Sequence, residues 1–153
     1  MAKFQRAILF DADVIIKLHE WGCWGKLCKQ LNSLACVSHF VATEEARYYR
    51  DRITHKSRPI RLGNLNADSI PRLVSLDDLS NEEYAQYLQY FSTLEVADAG
   101  ERETFALAWA LEYDVCSRDT AARDIFFTHR PQGCRSKHMD IMPLLRTLKI
   151  IAR

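Results

Sequence analysis

The stretch Ala7-Ile8-Leu9-Phe10-Asp11-Ala12-Asp13-Val14-Ile15-Ile16 limits the possible folds more than any other part of the chain. A short apolar run that ends on a carboxylate reads as a buried strand. An acid at the carboxyl end of such a strand stands where open α/β sheets place their ligands. There it is poorly solvated unless a cation, a donor or water compensates it. Asp is also a preferred helix N-cap, and Asp13 directly precedes Val14-Ile15-Ile16. From this stretch alone, cap and site both remain open.

The same alternation recurs along the chain. Val14, Ile15, Leu18 and Trp21 share a helical face, Gly22 and Gly25 interrupt it, and residues 26–31 resume it. Residues 34–37 read as a second strand. Ser38 is placed to cap a helix through Val41, Ala42, Glu45, Ala46 and Tyr49. The basic run 50–61 follows as the end of that helix and a loop, with Pro59, Gly63 and Asn64 as breakers. It is either a solvated surface or a phosphate-contacting lip. Residues 73–76 are a third candidate strand. Ser80 and Glu83 form a capping-box pattern before a helix bearing Tyr84, Tyr87, Leu88 and Phe91, whose helical spacing points to packing. Asp98-Ala99-Gly100-Glu101 leads into an Ala-rich helix. Residues 114–117 are another strand, followed by Arg118-Asp119 and a helix from Thr120. In the tail, Leu144, Leu145, Leu148 and Ile151 are spaced to pack back on the core. Short strands alternating with helices predict an α/β domain with a parallel sheet.

Composition narrows the class further. A length of 153 residues favours one domain, 1–153, with a single core. With 48% hydrophobic and 27% charged residues it is an ordinary globular chain. No apolar run is long enough to span a bilayer and the N-terminus lacks a signal-peptide core, so the expected compartment is the cytoplasm. Cys23, Cys28, Cys36, Cys116 and Cys134 are odd in number and include no C-x-x-C pair, which argues against disulfides and zinc and for reduced, buried thiols. The net charge of +1 means that any nucleic-acid contact must come from a local patch.

The acids carry the functional signal. Asp11 follows strand one, Glu44 and Glu45 lie after strand two, Glu101 falls in a helical first turn, and Asp119 follows a late strand. Parallel strands deliver their carboxyl ends to one edge, and helices starting there bring their first turns to it. Each acid alone has an ordinary reading as a cap, a dipole partner or a surface acid. Together they would repel one another without a cation. Mg²⁺ and Mn²⁺ take oxygen ligands and would neutralise such a cluster.

These residues resemble the PIN-domain nucleases. Ile8-Leu9-Phe10-Asp11-Ala12-Asp13-Val14-Ile15 matches that family's first motif. Ser38-His39-Phe40-Val41-Ala42-Thr43-Glu44-Glu45-Ala46 is similar to the second. Glu45 is preferred there because Ala46 takes the small place after the motif acid, and Glu44 is the alternative. Gly100-Glu101-Arg102-Glu103-Thr104-Phe105-Ala106-Leu107-Ala108 matches the third motif. Cys116-Ser117-Arg118-Asp119, followed by Ala122-Arg123, resembles the fourth, with Arg118 replacing an acid that some members carry. The resemblance runs from Ile8 to about Arg123. It implies a three-layer α/β/α fold with a short-stranded parallel sheet. It also implies a ribonuclease in which Asp11, Glu45, Glu101 and Asp119 hold one or two Mg²⁺ or Mn²⁺ ions, with Asp11 and Asp119 innermost, and in-line hydrolysis leaves 5′-phosphate and 3′-hydroxyl ends. Many small members are toxins of toxin–antitoxin pairs and often dimerise, so an antitoxin and a homodimer are further implied partners. Charge alone nominates Arg118, Arg50 and Arg52 as phosphate contacts.

Two rival readings differ in their chemistry. Asp11-Ala12-Asp13 after an apolar strand also resembles the nucleophile motif of haloacid-dehalogenase-type phosphatases, with Asp11 the nucleophile and Asp13 the general acid. Val14 and Ile15 depart from that pattern, and no later paired-acid motif is evident. The other rival is a non-catalytic PIN-like module that binds RNA or protein, for which a repulsive acid cluster has no use.

Overall fold

A computed structural model describes residue 4, residues 6–62 and residues 71–151. Five parallel strands form the main sheet in the order β5-β2-β1-β6-β7. They are β1 (Ile8–Phe10), β2 (Ala35–Ser38), β5 (Arg72–Val74), β6 (Asp114–Cys116) and β7 (His138–Met139). Ile8 pairs with Ala35 on one side and with Asp114 on the other, so β1 is the central strand. A central parallel strand is covered on both faces and must be apolar throughout, which explains the unbroken Ile8-Leu9-Phe10.

Side-chain alternation divides the core into two layers. Ile8, Phe10, Ala35, Val37 and Cys116 face α1 (Ala12–Glu20), α2 (Trp24–Leu31) and α6 (Ile141–Thr147). Ala7, Leu9, Cys36 and Val115 face α3 (Asn81–Thr93), α4 (Ala99–Leu111) and α5 (Thr120–His129). The protein is thus a parallel α/β structure with helices on both faces of the sheet. The Ala-rich content of α4 now has a physical reason. Nearly all of this helix is buried, from Gly100 and Glu101 to Thr104 through Ala110, and small side chains let it lie close to its neighbours. The capping box on α3 is present in full, with Ser80 Oγ accepting from the Glu83 N–H and the Glu83 carboxylate accepting from the Ser80 N–H.

The chain leaves β1 toward β2 and β5 on one side, then returns across the sheet to β6 and β7 on the other. The β1/β6 boundary is therefore the point where strand order reverses, and connections diverge there to leave a crevice. The Asp11 N–H donates to the Cys116 carbonyl at 3.0 Å and ties the two strand ends together.

Several expectations are corrected. The helix after Ser38 does begin there, with Ser38 Oγ accepting from the Val41 N–H, but it ends in one wide turn over Val41–Glu45. Tyr49 lies on a strand instead. The basic segment is not a helix end and loop but an antiparallel hairpin, β3 (Tyr48–Arg50) with β4 (Ser57–Pro59). Its turn is organised by Asp51, whose Oδ1 accepts from the Ile53 and Thr54 N–H groups and whose Oδ2 pairs with Arg58 at 2.8 Å. A side-chain-nucleated turn of this kind is easily read as a bare charge run. Ile151, expected to pack inward, is 83% exposed. β7 was missed because two residues carry no periodicity. Gly63 and Asn64 lie outside the described residues.

Four of the cysteines are buried, Cys134 is partly so, and all five are free. Burial pushes the Cys28 thiol up to about 12, which suits small core hydrophobes rather than nucleophiles. Among the described residues, no helix is long and apolar enough to cross a membrane.

Candidate active site

Each strand of the main sheet ends on a capping side chain or is followed by one within three residues. Asp11 caps α1, Ser38 caps the turn after β2, Ser75 caps a short turn over Leu76–Asp78, Asp119 caps α5 and Asp140 caps α6. Acids at this edge therefore follow in part from topology, because helices begin there. Asp11 is a cap, accepting from the Ala12 N–H at 2.9 Å. Asp13, the alternative cap, is an exposed first-turn acid. Asp119 likewise accepts from the Ala121 N–H at 2.9 Å.

Capping leaves two facts unexplained. The first is depth: Asp11 is 6% exposed and Glu101 is 9% exposed. A cap at the surface would suffice for either helix. The second is Glu45, which caps nothing. A methyl group built on Gly100 would overlap the Glu45 carboxylate. Glu45 thus lies directly over the first turn of α4, and the absent side chain of Gly100 makes the room. Glu44 is exposed and lines a different cleft with His39, Thr43 and Ser75. The geometry therefore resolves the Glu44/Glu45 alternative in favour of Glu45 as the acid facing the other carboxylates.

The electrostatics link these acids. Burial, together with the charges of Glu45, Asp13 and Asp98, pushes the Asp11 carboxyl up to about 7 against the lowering effect of the Ala12 N–H. Burial and the charges of Asp98, Asp11, Asp119 and Asp13 push Glu101 up to about 7. Burial and then Asp98, Asp13 and Glu103 raise Glu45. Asp119 is exposed, yet its charge reaches Glu101. All four acids expected at a site are thus brought to one edge. Two more join them: Asp13, and Asp98, which caps α4 and accepts from the Glu101 N–H at 2.9 Å. Sequence reasoning passed over Asp98 although an Asp three residues before Glu101 is a capping signal.

Arg118 is exposed beside Asp119 at the same edge. The other two nominated cations are not there. The Arg50 guanidinium is engaged within the hairpin, donating to the His55 carbonyl at 3.3 Å. Arg52 lines a cavity with His19, Trp21, Gly22 and Tyr49 at the far end of α1. Nine helical residues separate that end from Asp11, which is about 13 Å at 1.5 Å per residue.

The donors are all carboxylate oxygens, with no His or Cys among them, which suits a hard divalent cation rather than zinc. Among the described residues no three His, Cys, Asp or Glu side chains stand close enough to share one ion.

The raised carboxyls have a consequence for stability. Asp11 and Glu101 hold protons up to about 7 in the fold and release them near the ordinary carboxylate range when unfolded. The folded state therefore binds more protons than the unfolded state, so stability falls as pH rises through about 7. In EDTA, the melting temperature is expected to fall between about pH 5 and about pH 7 and to level off above that, and the fall should shrink in Glu101→Gln. A wild-type profile that rises over this interval would contradict the burial of these acids.

In comparisons with known proteins, no protein-family profile matches the chain and no curated protein sequence matches it significantly.

Proposed function

We propose that the protein is a divalent-metal-dependent ribonuclease of the PIN type, hydrolysing RNA phosphodiesters at the β1/β6 crevice. One observation carries the reading. Asp11 and Glu101 are buried among carboxylates from other elements: the charge of Glu45 raises the proton affinity of Asp11, and the charges of Asp11 and Asp119 raise that of Glu101. A stable fold has no need for such repulsion, whereas a cation-binding site does. The five-stranded parallel sheet with helices on both faces agrees with the fold that the resemblance implies.

In this reading Asp11 and Asp119 are the inner ligands, fixed by their own capping hydrogen bonds to α1 and α5. Glu45 and Glu101 would complete the set. Asp98 orients Glu101 by accepting from its backbone N–H. Arg118 stands beside Asp119, where it would neutralise a substrate phosphate. When bound, Mg²⁺ or Mn²⁺ would supply the positive charge that offsets the carboxylates and stabilises the phosphoryl transition state. An antitoxin-like partner and a homodimer belong to the same proposal, as does RNA as substrate.

The test is cleavage of a mixed-sequence RNA with and without Mn²⁺. The phosphatase alternative makes the opposite demand on two residues. Under the nuclease reading Glu101→Gln loses cleavage by a factor on the order of a hundred or more, while Asp13→Asn retains most of it. Hydrolysis of a simple phosphomonoester that needs Asp13 and not Glu101 would replace the nuclease with the phosphatase. Absence of both activities, with no Mn²⁺-dependent rise in melting temperature, would leave the binding-module reading.

A further inference from the structure

The helix that starts at the candidate site carries a second feature. Asp119, Arg123, Phe127 and Arg130 recur at four, four and three residues, so they lie along one flank of α5. Each four-residue step advances about 6 Å, comparable with the backbone repeat of an extended nucleic-acid strand. Phe127 is 47% exposed. Its ring is nonetheless held in place. Phe126 meets it edge-on at 5.6 Å, and the His138 ring lies 6.1 Å away. Two guanidiniums flank it, Arg123 at 5.7 Å and Arg130 at 5.6 Å from the ring centroid. Arg130 is steadied by donating to the Ser136 carbonyl at 3.1 Å. Among the described residues, neither arginine is in a salt bridge.

Charge is concentrated here as well. On a chain of net charge +1, the segment from Arg118 to His138 carries Arg118, Arg123, Arg130, Arg135 and Lys137 against Asp119 and Asp124. A fixed, accessible aromatic face between cations is what an unpaired base and its flanking phosphates require. A duplex offers its bases already stacked and has no use for such a ring.

We infer that the Arg123–Phe127–Arg130 flank of α5 is a track for single-stranded RNA, stacking one base on Phe127 and leading the strand to the acids at Asp119. The choice of RNA rests on the nuclease reading above, whereas the track itself rests on α5.

The test is binding to a fluorescein-labelled, unstructured RNA dodecamer, followed by anisotropy with the protein in EDTA so that nothing is cut. Phe127→Ala is expected to weaken binding roughly tenfold, and Phe127→Trp to keep it. Arg123→Gln should weaken binding and flatten its salt dependence by about 0.7 in log–log slope. Thr128→Ala, on the opposite flank, should bind as wild type does. A fully paired duplex of the same length should bind more weakly and be indifferent to Phe127. Should Phe127→Ala fold poorly, the solvent-side Arg123→Gln and the Phe127→Trp variant carry the test. Equal RNA affinity in wild type, Phe127→Ala and Arg123→Gln would overturn the track. So would duplex binding that depends equally on Phe127, or displacement of RNA by an acidic peptide at matched charge, which would mark a protein-docking surface. The two readings fail separately. Phe127-dependent RNA binding without any cleavage would remove the nuclease and keep the track, and Mn²⁺-dependent cleavage with an unchanged KM in Phe127→Ala would do the reverse.

Discussion

Asp11→Asn is expected to abolish Mn²⁺-dependent RNA cleavage and, in EDTA at pH 8, to make the protein more stable than wild type. Asp11 is 6% exposed and feels the charges of Glu45, Asp13 and Asp98, so ionising it strains the fold. Asn removes that charge while keeping an oxygen to accept from the Ala12 N–H, and it is as good an N-cap as Asp. One unit of carboxyl shift corresponds to about 1.4 kcal/mol, and a gain of about 1 kcal/mol raises Tm by roughly 2–4 °C in a chain of this size. At pH 5 the wild-type acid holds its proton in the fold and the difference should shrink. Adding Mn²⁺ should reverse the order, stabilising wild type but not the variant. Thermal melts at two pH values, with and without Mn²⁺, check all of this. A variant that is less stable in EDTA at pH 8 would show that the carboxylate serves the fold.

Gly100→Ala is the second informative change, because it separates packing from function in the opposite way. The three atoms nearest the added methyl group all belong to the end of the Glu45 side chain. A flexible, partly exposed arm can swing away, so the cost to the fold is small. Alanine is also the better helix former, and stability should stay within about 1 kcal/mol of wild type. Activity should fall by one to two orders of magnitude, roughly what losing one oriented electrostatic contact costs, because the Glu45 carboxylate is expelled from its place over α4. Glu45→Gln should match that loss, and the double variant should add little to either. A fully active Gly100→Ala protein would exclude Glu45 from the site in this position. Glu44→Gln is the control, since Glu44 faces another cleft.

These two residues illustrate how a local signal and a spatial one differ. Asp11 was visible in the sequence because an apolar run ends on it. Of the two alternatives the sequence posed, the structure shows the cap, one oxygen accepting from the Ala12 N–H, and burial and neighbouring charge make the same group unusual for a cap. For Glu45 the only local mark was Ala46 in the small place that the family resemblance expects after the motif acid. Its distinction from Glu44 comes from the wide turn over Val41–Glu45, which rotates one carboxylate toward Gly100 and leaves the other facing solvent. A π-type turn has no periodicity that a helical template would detect. The hairpin was missed for a related reason. Its register is set by the Asp51 side chain rather than by an Asn-Gly or Asp-Gly turn.

The sequence by itself determined the parallel sheet, because Ile8-Leu9-Phe10 is apolar on both faces and the other strands alternate with helices. It also determined the capping acids, which follow from strand ends and helix starts, and the identity of α4, whose alanines admit close packing. The tertiary structure alone decided that β6 returns to lie beside β1, which places Asp119 and Glu101 near Asp11 rather than several strands away along the same edge. It likewise decided that Arg52 lies a helix-length from the acids, and that the flank of α5 bearing Arg123, Phe127 and Arg130 is left exposed. Strand order and helix rotation depend on contacts between residues far apart in the chain, and no local pattern records them.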